Sequence, residues 1–216
     1  MKGSKSKGFT ILELMVSVAI FVFMTSLLIA KFGNFNQSTL LTNLIYDVAL
    51  AIRTEQTSSI GVVNSGNGSG QSLFQYPHGV HFTTQSIPTD PSTDNTKIIQ
   101  FSDVNSSGTT GGTYVTGDTV ENTYTITKGA KVTYLCMGNE TVCSPSTRNA
   151  NPALSVTSAD ITFKRPDPSA IICVNGTSCN SSNGKSSIYI EIGIPGVSGG
   201  TRAVVVTNNG QVYILK

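Results

Sequence analysis

Between Phe9 and Ala30 the chain runs for 22 residues with a single charge, Glu13. A helix crosses the hydrocarbon core of a bilayer in roughly 20 residues, so the run is long enough to span a membrane. Lys2, Lys5 and Lys7 precede it and Lys31 alone follows closely. That asymmetry predicts a cytoplasmic amino terminus. A cleaved secretory signal has a shorter apolar core, about 7–15 residues, and a small-x-small cleavage site. Here Leu28-Ile29-Ala30 places leucine where a small residue is needed, which favours the span.

Glu13 sits close to the start of that run. A lone carboxylate in a membrane helix costs about 2.5–3.5 kcal/mol on insertion scales and calls for a partner. No Lys, Arg or His lies in Phe9–Ala30. A free α-amino group on a neighbouring chain would serve, and a cut between Gly8 and Phe9 creates one.

The stretch "KGFTILELMVSVAIF" resembles the signal of type IV prepilins, shared by pilins and type II secretion pseudopilins. The matching features are a short basic leader (residues 1–8), Gly8 before the cut, Phe9 after it and Glu13 four residues on. The resemblance implies that a prepilin peptidase removes the leader and methylates the Phe9 nitrogen. It also implies that Glu13 neutralises the amino terminus of an adjacent subunit during assembly. The implied partners are other pilin or pseudopilin subunits, the peptidase, an inner-membrane assembly platform and membrane lipid.

Beyond the span, Leu41, Leu44, Ile45, Val48 and Ile52 recur at the spacing of an amphipathic helix. The first proline is Pro77, so one helix is expected from Phe9 to about Ser59. Residues 9–30 form its membrane half and 31–60 its amphipathic half. Gly33-Asn34 is the expected bend or unwound point, because glycine costs about 1 kcal/mol against alanine in a helix. Residues 61–216 change texture to short alternating segments separated by turns. Strands are expected at Val80–Thr84, Lys97–Ser102, Asn122–Thr127, Val132–Cys136, Ile161–Arg165, Ser187–Ile192, Arg202–Thr207 and Gln211–Leu215. Asn209-Gly210 marks a hairpin between the last two. One long helix followed only by strands predicts an α+β, pilin-like fold with an antiparallel sheet. The closing segment "SSIYIEIGI … TRAVVVTNNGQVYILK" is similar to the terminal hairpin of GspH/FimT-type minor pseudopilins. Major pilins differ, many having a proline near the middle of the first helix and one long disulfide loop at the carboxyl terminus.

The chemistry-bearing residues are few. Cys136, Cys143, Cys173 and Cys179 all lie in the part expected outside the cytoplasm, and four cysteines allow three pairings. The local pairing, Cys136–Cys143 with Cys173–Cys179, is expected; each short loop contributes roughly 2–3 kcal/mol in the chain-entropy estimate. Zinc sites usually pair ligands two to four residues apart, which these cysteines do not. His78 and His81 in "YPHGVHF" face opposite sides if extended, so they do not share a metal, and they read as surface or loop residues. Asp90, Asp94 and Asn95 in "PTDPSTDN" miss the EF-hand pattern and read as a solvated turn. "NSGNGSGQS" (64–72) reads as a flexible loop, its glycines fitting neither a dinucleotide nor a P-loop pattern. No metal, cofactor or catalytic set is expected, and no enzyme motif is present.

Charge narrows the partners further. Only 12% of residues are charged, and from Lys31 onward eleven basic residues meet eleven acidic ones. DNA enters as a partner through the FimT side of the resemblance, but the neutral ectodomain weighs against it. The expected function is a structural one: a minor pilin or pseudopilin of a type IV pilus or type II secretion-like filament. The alternative is a filament-tip module binding DNA, a secreted substrate or a surface.

Overall fold

The computed structural model describes residues 8–61, 76–86, 91–104, 112–177, 179, 184–196 and 200–215. The leader up to Lys7, the glycine-rich stretch 64–72 and Asp90 lie outside the described residues. The chain divides into two units, Met1–Leu40 and Leu41–Lys216. One helix, α1 (Ile11–Ile60), runs through Gly33-Asn34 without an unwound turn, contrary to the expectation from the glycine. A single glycine's cost of about 1 kcal/mol is small beside the many helical hydrogen bonds on either side of it.

The second unit is an antiparallel β structure with the later turns of α1 packed on it. Its strands are β1 (His78–Thr83), β2 (Lys97–Ser102), β3 (Thr119–Thr125), β4 (Lys131–Met137), β5 (Ser155–Val156), β6 (Ser158–Lys164), β7 (Asp167–Val174), β8 (Ser187–Gly193), β9 (Thr201–Thr207) and β10 (Val212–Leu215). A four-residue helix, α2 (Glu140–Cys143), follows β4. The strands form two five-stranded sheets rather than one, in the orders β3-β2-β1-β6-β7 and β10-β9-β8-β4-β5. An apolar helix followed by antiparallel sheet is the α+β, pilin-like order expected. The α1 stripe of Leu41, Leu44, Ile45, Val48 and Ile52 is buried in one core shared with both sheets. Val80, Phe82, Ile161 and Phe163 reach that core from the first sheet, and Leu135, Ile190, Val204 and Val206 reach it from the second.

Two strands went unforeseen. β5 is only two residues long, and β7 opens at "DPSA", where Pro168 and polar neighbours hide the strand signal. β7 is an edge strand, the place in a sheet that tolerates proline. At the other end, residues 208–211 form the hairpin connection between β9 and β10, with Gly210 at φ +81°. Only glycine takes that conformation without penalty. The loop also meets α1: the Gln56 side-chain amide donates to the carbonyls of Pro168 (2.8 Å) and Gly210 (3.1 Å).

The last carbonyls of α1 lack intrahelical partners, as at any helix end. Arg165 supplies one, donating from Nε to the Ser59 carbonyl (3.0 Å), and its Nη2 donates to the carbonyl of Gly61 just past the helix end. A cation at this end also opposes the negative pole of the helix dipole. Cys136 is disulfide-bonded to Cys143, tying β4 to α2, and Cys173 is bonded to Cys179.

Candidate functional site

The first turn of α1 is capped from the sequence "TILE": Thr10 Oγ1 accepts a hydrogen bond from the Glu13 N–H (3.3 Å). Threonine at the cap and glutamate three residues on is the capping-box pattern, so Glu13 also has a local reason to be acidic. Further along, the Ser17 hydroxyl donates to the Glu13 carbonyl (2.7 Å) and Thr25 donates to Phe21 (2.9 Å). These hydroxyls are satisfied by the helix itself, as an apolar environment requires. The Glu13 carboxylate is different. Among the described residues no cation lies against it.

The surface around Glu13 is apolar. All fifteen large hydrophobic side chains from Phe9 to Ile29 are exposed, none less than 52%. The segment Ile11–Ile29 has mean hydropathy 2.3 and is wholly unburied. A patch of this size on a lone protein marks a surface meant for lipid or other protein. Among the described residues this is one helix long and apolar enough for a single membrane span. Gly8 borders it, and a Cβ built there would touch nothing, so no packing demands a glycine.

Residues 3–29 match the family described as Prokaryotic N-terminal methylation motif. The chain therefore carries a prepilin-type processing signal. No curated protein and no solved structure matches the chain. The motif is a processing signal and not a catalytic one. It implies cleavage by a prepilin peptidase and assembly with other pilin subunits, and the matched residues include Gly8, Phe9 and Glu13.

The second unit holds polar chemistry that composition did not reveal. His78 and His81 are buried on β1, 2% and 6% exposed, and neither is a surface or loop residue. β1 is the central strand of its sheet and is buried at all six positions, so both of its faces are covered. His81 Nδ1 lies 2.6 Å from Asp160 Oδ1, directly across the β1–β6 pair, and Nε2 lies 2.9 Å from the Ser92 carbonyl. The Tyr114 ring packs 5.2 Å away. With both ring nitrogens engaged, His81 links β1 to Asp160 of β6 and to the Ser92 carbonyl. Asp94 and Asn95 are likewise buried, not solvated: Asp94 accepts from the Thr96 N–H (3.0 Å) and pairs with Lys97 (3.2 Å). The Thr96 contacts hold its carboxyl below the usual range.

His78 faces the other way, toward α1. Its Nδ1 lies 2.7 Å from Glu121 Oε1 and 3.7 Å from Glu55 Oε2. Burial and the Glu121 charge push the Glu55 carboxyl up to about 8, against the pull of a hydrogen bond from Gln100. Glu55 was overlooked because it ends an apolar stripe: Ile52, Glu55 and Ser59 continue the buried spacing with polar residues. That substitution on a buried face was the available signal.

Proposed function

We propose that the chain is a structural subunit, a minor pilin or pseudopilin, of a type IV pilus or type II secretion-like filament. The prepilin peptidase cuts between Gly8 and Phe9, removing residues 1–8, and methylates the new terminus. Before assembly the protein is held in the cytoplasmic membrane by α1, amino terminus inside, with residues 61–216 on the far side. In the filament the exposed apolar segment leaves lipid for a core of like helices. There Glu13 compensates the Phe9 ammonium of a neighbour. The observation that carries this reading is the coincidence of the methylation motif with a wholly exposed apolar helix bearing one unpaired-by-cation carboxylate. Similarity of the closing hairpin to GspH/FimT-type proteins supports a minor rather than a major subunit.

Gly8→Val tests the processing step. Open space around Gly8 means the substitution leaves the fold alone, so an effect reports on the peptidase. The expected result is a full-length precursor retained in the membrane fraction, seen by intact mass. A normal amount of mature protein starting at Phe9 would contradict it.

A further inference from the structure

Glu55 on α1, His78 on β1 and Glu121 on β3 present ligand atoms that all lie within 4.8 Å of one another. We propose that these three side chains bind one divalent transition-metal cation of the zinc class, tying α1 to the first sheet. A cation bonded at about 2.0–2.2 Å in tetrahedral geometry separates its ligands by roughly 3.4 Å. The 3.7 Å from His78 Nδ1 to Glu55 Oε2 is already near that value, and the 2.7 Å to Glu121 needs to open by less than an ångström.

An independent observation points to a ligand. Glu55 is 3% exposed, and its Oε2, the oxygen facing His78, has no hydrogen-bond partner. Buried carboxylate oxygens are rarely left so. The other oxygen is fully held. Gln100 Nε2 donates to Glu55 Oε1 (2.7 Å), and Asn122 Nδ2 in turn donates to Gln100 Oε1 (2.8 Å). Glu121 Oε1 accepts from the Ser102 hydroxyl. Side chains that orient the ligands in this way are what a metal site requires around it.

The backbone is arranged to the same end. The β2–β3 register shifts so that Gln100 faces Asn122 and Phe101 faces Val120, leaving Glu121 as the extra residue of a β-bulge. A bulge re-aims a side chain, here toward His78. The Glu121 side chain is 19% exposed, which leaves one side of the cluster open for an ion to arrive. One imidazole and two carboxylates suit zinc or manganese; a calcium site takes six to eight oxygens, and soft ions want the thiolates that the disulfides have removed.

The test uses the full chain without a polyhistidine tag, purified in detergent micelles, stripped with chelator and titrated with Zn²⁺ alone. One zinc per chain should survive desalting by elemental analysis, and it should raise the melting temperature in a chelator-reversible way. Glu121→Gln, at the rim, should weaken binding by more than about 100-fold with the near-ultraviolet circular dichroism unchanged. Ser102→Ala should weaken it by roughly 10–100-fold, the usual effect of losing a residue that orients a ligand. Failure to retain zinc, or equal retention by parent and Glu121→Gln, would overturn the proposal and assign the cluster to a shared proton. The measurement needs no filament, so its failure leaves the assembly reading standing.

Discussion

Glu13→Gln is expected to be inserted and cleaved like the parent yet to be nearly absent from sheared filaments. The amide keeps the length and polarity of the side chain and leaves the Thr10 cap of α1 in place. Losing the charge eases insertion, because an unpaired carboxylate in hydrocarbon is costly. It also strands the neighbouring Phe9 ammonium in a low-dielectric core, where an uncompensated charge costs about 3–5 kcal/mol. At 1.4 kcal/mol per factor of ten, that lowers incorporation by at least 100-fold. Glu13→Ala should behave in the same way, and Glu13→Asp serves as the length control. If Glu13→Ala failed while Glu13→Gln assembled normally, helix capping and not charge would be its role. Quantifying the protein in membrane and filament fractions separates these outcomes.

His81→Ala carries the second large effect, on stability. It leaves Asp160, 1% exposed and with Oδ2 already without a hydrogen-bond partner, buried opposite a void. Breaking one side of a buried pair costs about 3–5 kcal/mol. For a domain of this size that is a fall in melting temperature on the order of 10 °C. Replacing both partners, as in His81→Leu with Asp160→Leu, should recover much of the loss, since the uncompensated charge is then gone. A thermal scan placing His81→Ala within about 2 °C of the parent would show that the pair has no structural weight.

What could be read from the chain alone follows physical lines. The apolar run, the α1 stripe and β2 were legible because each is a local pattern, a length or a period. The Asn209-Gly210 hairpin was legible because its turn chemistry is local too. The division into two sheets was not, since it depends on which strand pairs with which across many residues. The histidines misled because their spacing shows that they face opposite sides but not what covers each side, whereas α1 and Tyr114 close over the two faces of β1. Glu55, His78 and Glu121 belong to three elements far apart in sequence and meet through a bulge in the ladder, for which sequence periodicity offers no sign.

On the proposed reading, this chain is processed at Gly8 and assembled through α1. Intact-mass and amino-terminal peptide measurement of the protein recovered from sheared filaments tests both parts at once. The predicted result is a chain lacking residues 1–8, with one methyl group on the Phe9 nitrogen. Recovery of a chain that retains Met1–Gly8 or starts elsewhere, or recovery of the mature protein only outside filaments, would contradict it.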